Sequence, residues 1–185
     1  MRKPSVIPSL VETICQDLRA KSLWCYEKDD WRSVLRTLAT DGTAAMVIYR
    51  LMQWSRRHRL VALEMAFNKL NAVACNCIIG RGAEFGPDFV LIHSTGVVIN
   101  SAVRGGRGVH IEHQVTIGAE RRQIPVLGND VFIGAGAKII GGIVVGDGAR
   151  IGANAVVLQD VPPGASAVGV PARIIDRTSM AARAA

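Results

Sequence analysis

The stretch VFIGAGAKIIGGIVVGDGARIGANAVV, Val131–Val157, decides how this chain folds. Ile133, Ile139, Val145, Ile151 and Val157 recur every six residues, and Gly134, Gly146 and Gly152 directly follow three of them. A helix repeats every 3.6 residues and a strand every two, so neither alone explains a period of six. Short strands with one inward aliphatic each, joined by tight turns, do explain it, three sides making one coil of a β-solenoid. Counted backwards, the same lattice passes through Leu127, Arg121, Val115, Val109, Val103, Val97, Leu91 and Phe85 to Ile79. Thirteen of its fourteen positions are Ile, Leu, Val or Phe. Three hexads make a coil of roughly eighteen residues, which predicts about five coils from Val73 to Val157.

That spacing carries further expectations. It stacks Cys75 and Ile111 beside His93, turns His113 inward and leaves His110 facing outward. Arg121 is the one polar lattice position, and the phase resumes at Leu127. The polar stretch Gly118–Pro125 is therefore expected to replace one solenoid side with a loop, the kind of segment that carries binding groups on a rigid scaffold.

Upstream of Val73 the pattern is helical from residue 5 to residue 72. Ser9 and Glu12 fit a capping box ahead of Leu10, Ile14 and Leu18. Asp29 or Asp30 can cap a second helix that stops near Asp41-Gly42, and Thr43 opens a third. A fourth runs from Val61 to Leu70 and ends near Asn71. The expected division is a helical region over 1–72, a β-helix domain over 73–161 and a C-terminal tail over 162–185.

Composition removes several function classes. The 185 residues include 19 glycines, while aromatics make up only 5%, which suits many turns and an aliphatic core. Thr43–Trp54, the most apolar stretch, carries Arg50 and falls short of the roughly 18 apolar residues that a membrane span needs. Residues 1–8 lack the apolar run of a secretory signal. Cys15, Cys25, Cys75 and Cys77 form no CxxC pair, so no zinc knuckle or disulfide framework is indicated. These features read as a cytoplasmic protein. The net charge of +7 is spread along the chain, and its one dense cluster, Arg56-Arg57-His58-Arg59, follows an apolar helix. A helix C-terminus favours cations there, so nucleic acid is not an expected partner, and peripheral contact with a membrane surface stays open.

Three motifs carry a resemblance: His93-Ser-Thr-Gly-Val-Val-Ile-Asn100, Val131–Ile139, and the ending Val161-Pro-Pro-Gly164 with Gly169-Val-Pro-Ala-Arg173. Over residues 75–175 the chain resembles the serine acetyltransferase branch of the hexapeptide acyltransferases. The resemblance implies a left-handed parallel β-helix, a homotrimer with active sites between subunits, and acetyl-CoA as donor with no metal. His93 matches the family's catalytic histidine, and an imidazole titrating near neutrality suits proton removal from an acceptor hydroxyl. Gly118, Ala135 and Ala153 match positions beside which the pantetheine arm lies, with Gly118 also near a candidate oxyanion amide. Arg150 and Arg173 are candidates for the nucleotide phosphates, and His110, His113 and Gln123 for the acceptor cleft. A zinc site built on His110 and His113 does not match the longer ligand spacing of this fold's carbonic anhydrases.

The departures point to the acceptor. Ile92 and Ile78 stand where the family has aspartates, and Gln123-Ile124 where it has an Arg-His pair. A free amino acid needs charged partners for its carboxylate and ammonium. The sequence is therefore more similar to the branch members that acetylate sugars in polysaccharide biosynthesis, with serine as the alternative acceptor and a catalytically silent trimeric scaffold as the alternative class. Candidates for orienting His93 are a backbone carbonyl, Glu112, Asp88 or a group from a neighbouring subunit.

Overall fold

The computed structural model describes residues 9–175. The helical reading of residues 5–8, and the outer ends of the two terminal regions, lie outside the described residues.

Four helices come first. In α1 (Leu10–Tyr26) both halves of the capping box form: Glu12 N–H donates to Ser9 Oγ at 3.2 Å, and Ser9 N–H donates to Glu12 Oε2 at 2.7 Å. Asp30 caps α2 (Trp31–Thr37) through the N–H groups of Arg32 and Ser33. Gly42 opens α3 (Thr43–Arg57) at φ +78°, a left-handed conformation. A side chain there would also place its Cβ 2.4 Å from the Leu91 carbonyl oxygen, so only glycine fits. The last helix, α4 (Val61–Ala74), runs a turn beyond the sequence expectation.

The solenoid follows. Its first coil carries β1 (Cys77–Ile79), β2 (Glu84–Phe85) and β3 (Val90–Leu91). The second carries β4 (Val97–Ile99), β5 (Arg104–Gly105) and β6 (His110–Ile111). The third carries β7 (Thr116–Gly118), β8 (Val126–Leu127) and β9 (Phe132–Ile133). The fourth carries β10 (Lys138–Ile140), β11 (Val144–Val145) and β12 (Arg150–Ile151). The fifth opens with β13 (Val156–Val157) and returns through β14 (Ser166–Val168), after which β15 (Arg173–Ile175) turns back antiparallel. Like sides pair in parallel to make three sheets: β1-β4-β7-β10-β13, β2-β5-β8-β11, and β3-β6-β9-β12-β14 with β15 at its edge. The third sheet thus continues past residue 161.

The register corrects the lattice. Leu91 pairs with Ile111, twenty residues on, and Ile111 with Ile133, twenty-two on. Only later does the offset settle at eighteen, from Ile133 to Ile151. Two residues are added at the corner between Leu91 and Val97, and four more between Ile117 and Leu127. The additions sum to one hexad, and for that reason the phase at Leu127 matches the phase at Ile79. No side is lost. Val97, Val103, Val109 and Val115 belong to a second inward row, each two residues before the row of Ile99, Gly105, Ile111 and Ile117. The coil interior is therefore two aliphatic rows deep on each side, and each fully buried aliphatic contributes about 1.5–3 kcal/mol. Glycine serves at one inward position: Phe85 fills the space beside Gly105, where a Cβ would stand 2.4 Å from its ring.

The helices are fixed to the first coil by an apolar seam, in which Met46, Tyr49 and Met52 join the core of Ile79, Phe85, Phe89 and Leu91, and by buried polar groups. Arg50 of α3 donates through Nε to Asp17 Oδ2 of α1 at 2.7 Å, through Nη1 to the Phe85 carbonyl at 2.9 Å and through Nη2 to the Gly86 carbonyl at 2.6 Å. Asp17 Oδ1 accepts from Phe89 N–H at 3.0 Å. Tyr49 O–H donates to the Ala83 carbonyl, and its oxygen accepts from Phe85 N–H. Among the described residues no helix is long and apolar enough to cross a membrane.

Candidate active site

The two-residue enlargement of the first coil lies at the corner that carries His93. Because Leu91 pairs with Ile111, the residue stacked on His93 is His113, not Ile111 as an eighteen-residue coil would require. The rings stand edge to face with centroids 5.7 Å apart. His113 is a half-exposed corner residue and does not turn inward. The same corner continues to Ala135 and then Ala153, through the registers that join β6 to β9 and β9 to β12. Backbone bonds keep these corners in column: Gln114 N–H to Thr95 O at 2.9 Å, Gly136 N–H to His113 O at 2.9 Å, and Asn154 N–H to Ala135 O at 2.8 Å. One edge of the solenoid therefore carries, in order, two imidazoles and two methyl groups.

His93 has a partner that the sequence reading did not include. Its Nδ1 lies 3.0 Å from Asp41 Oδ2, in the turn between α2 and α3, and both side chains are about half exposed. Of the candidates weighed from sequence, Asp88 and Glu112 face other residues. Asp88 pairs with Arg107 at 2.7 Å, and Glu112 stands 3.4 Å from His113 Nδ1. Glu112 Oε2 is buried and makes no hydrogen bond. One signal in the sequence could have pointed to Asp41: Gly42 beside it, read there only as a helix stop, is required for close approach to Leu91. A cleft of about 270 Å³ opens on the same side, lined by Thr40, Asp41, Ala74, Cys75, Ser94 and Thr95. Burial raises the Cys75 thiol above its ordinary value, and Asp41 adds to the effect.

The remaining predicted residues are more scattered. His110 faces outward as expected, but Trp24 of α1 covers it edge-on at 4.9 Å. Burial holds its imidazole below the usual histidine range, with Asp130 and Asp88 acting in the opposite sense. Arg150 lies over the Phe132 ring at 4.6 Å, on the outer face of the third sheet and not at the corner. Arg173 is exposed on β15. Gly118 is the last residue of β7, at the end away from His113, and Gln123 lies beyond it, where Glu120 and Gln123 form an isolated antiparallel bridge. Within one chain they do not meet His93.

Comparison with known proteins agrees with this geometry. Residues 124–159 match the bacterial transferase hexapeptide model of six repeats. The serine acetyltransferase of Helicobacter pylori strain J99 is 37% identical over 173 residues, 91% of this chain and 95% of the relative. The chain belongs to the serine acetyltransferase family. It is an O-acetyltransferase, and acetyl-CoA is its donor. The crystal structure of the family member from Vibrio cholerae superposes with a TM-score of 0.82 at 35% identity, covering 94% of this chain and 70% of that one. A serine acetyltransferase solved in complex with CoA gives a TM-score of 0.81 at 33% identity, covering 91% and 70%.

Proposed function

We propose that the chain transfers the acetyl group of acetyl-CoA to the side-chain hydroxyl of L-serine, with His93 as general base. The observation that carries this reading is the corner column, with a base at one end and the small residues Ala135 and Ala153 along the rest. The likeness to Helicobacter pylori serine acetyltransferase over nearly the full length of both chains supports serine as acceptor. In the reaction His93 Nε2 takes the hydroxyl proton as the oxygen attacks the thioester carbonyl carbon. The tetrahedral intermediate collapses, the carbon–sulfur bond breaks, and the imidazolium returns the proton to the departing CoA sulfur.

The pantetheine arm lies along the exposed edge at Ala135 and Ala153, where a large side chain would obstruct it. Arg173 is the freer of the two arginines proposed for the phosphates, because Arg150 is stacked on Phe132. Gly118 and Gln123 would reach the site from a second copy of the chain, in the homotrimer that the family resemblance implies. Light scattering should return three times the chain mass, and a monomer at micromolar concentration would remove the shared site.

A second reading, an uncharged acceptor such as a sugar hydroxyl in polysaccharide biosynthesis, is favoured by one observation. Ile92, only 8% exposed, adjoins His93, and Gln123-Ile124 brings no charge to meet a carboxylate. Thiol release from acetyl-CoA, measured with L-serine and with a panel of sugars and nucleotide sugars, separates the readings. A higher kcat/KM for L-serine supports the first, and turnover of a sugar without turnover of serine replaces it with the second. Tight CoA binding without turnover of any acceptor would leave a silent scaffold.

A further inference from the structure

Lys21 is the most unusual charge in the molecule. It lies on α1, its side chain is fully buried, and among the described residues it makes no salt bridge. An isolated buried ammonium is costly unless its three N–H groups find acceptors. Lys21 Nζ donates to the carbonyl of Asp41, to that of Leu91 at 2.8 Å and to that of Ile92 at 3.5 Å. The first acceptor belongs to the turn that carries Asp41. The other two belong to the two residues immediately before His93. One cation therefore holds together the backbone segments that present the carboxylate and the imidazole. Gly42 brings the turn against Leu91 closely enough for this to happen.

The carboxylate is itself oriented. Asp41 Oδ1 accepts from Gly42 N–H at 2.9 Å, which leaves Oδ2 to face His93 Nδ1 at 3.0 Å. A carboxylate at neutral pH only accepts, so Nδ1 must carry the proton and Nε2 is left with a free lone pair. That is the tautomer a general base acting through Nε2 requires. The other charged or titratable groups around the pair are His113 and Glu112 on the next coil and Cys75 after α4.

We propose that Asp41 is the positioning residue that fixes the tautomer of His93, and that Lys21 holds it there, making the helical region an integral part of the active site. The inference rests on His93 as general base, but one of its tests needs no turnover. Asp41→Asn is the decisive variant. Its carbonyl oxygen can keep the Gly42 bond, which turns its NH₂ toward Nδ1 and forces the proton onto Nε2. Nitrogen NMR of ¹⁵N-histidine-labelled protein above the imidazole titration should show His93 as the Nδ1–H form in the native chain and as the Nε2–H form in Asp41→Asn. The same variant should lower kcat by about 10- to 100-fold with KM for acetyl-CoA changed less than twofold. Asp41→Glu, which keeps the acceptor, should recover at least fivefold of that loss.

Lys21→Met should lower kcat in the same direction by about fivefold or more and give mixed His93 tautomers. If this variant does not fold, Lys21→Arg serves instead, since it keeps the charge but not the single-point geometry, and the same loss is expected. An unchanged tautomer in Asp41→Asn, or kcat within twofold of native, would overturn the proposal. If His93→Ala remained active while Asp41→Asn still inverted the tautomer, the contact would stand and the role of His93 as base would fall.

Discussion

The solenoid is held by apolar burial and backbone pairing, whereas the helices before it add buried charges to their apolar seam. The solenoid is a stack of aliphatic rows, each coil touching only its neighbours, and its interior carries no charge. The helical region shares that apolar core through α3 but is also joined to the first coil by Arg50, Asp17, Tyr49 and Lys21, whose charges and hydroxyl reach backbone groups of the solenoid. Repetition makes an edge of stacked corners, on which His93, His113, Ala135 and Ala153 stand in one column. The proposed base, His93, stands where the repeat is broken, at the enlarged corner, and the non-repeating part reaches it there through Asp41.

Arg50→Ala tests this division most severely. It strips the partner from buried Asp17 and leaves two carbonyls without donors, a loss of about 3–5 kcal/mol. Because repeat arrays unfold in local units, the helical signal in circular dichroism should disappear at lower denaturant than the β signal. A single coincident transition would show that the two regions are one cooperative unit. His93→Ala should do the opposite, lowering kcat by about 100-fold or more while leaving the melting profile intact.

Lys21 provides a pH test of intermediate size. Burial lowers its ammonium from the ordinary 10.5 to about 8. Between those values the unfolded chain binds more protons than the folded one, so this group makes stability rise with pH from about 8 to about 10.5. The native chain should gain about 1–2 kcal/mol over that window relative to Lys21→Met, read by chemical denaturation at several pH values. A native curve parallel to the variant's would mean that the ammonium is not desolvated. Ser9→Ala should be smallest, costing about 1 kcal/mol by removing half of the capping box, with no change in kcat. A loss of activity there would extend the coupling of helices and site well beyond Lys21.

What could be read from the sequence follows the same division. The hexads, the four helices in order and the Ser9–Glu12 cap are local patterns, and each appears in the structure. The sequence singles out His93 only because the residues flanking it form a motif. The errors arose where local counting cannot reach. Two insertions of two and four residues cancel in phase, so the lattice looked unbroken although the coils were unequal, and His113 was assigned to the wrong face. Asp41 lies 52 residues from His93, and no periodicity connects them. Nothing in the local pattern of α1 singles out Lys21, whose burial depends on contacts with the Asp41 turn and with Leu91 and Ile92 of the first coil.

The antiparallel return of β15 has a consequence for how these molecules meet one another. A parallel solenoid ends in open strand edges, and an open edge is a template for a further strand from any chain that offers one. On the third sheet that position is already taken, with Ser166, Ala167 and Val168 paired to Ile175, Ile174 and Arg173 in the opposite direction. A second solenoid approaching end to end would find its first parallel strand refused along this side. The fold thus carries its own terminator on this sheet, opposing growth of the coil into a fibre.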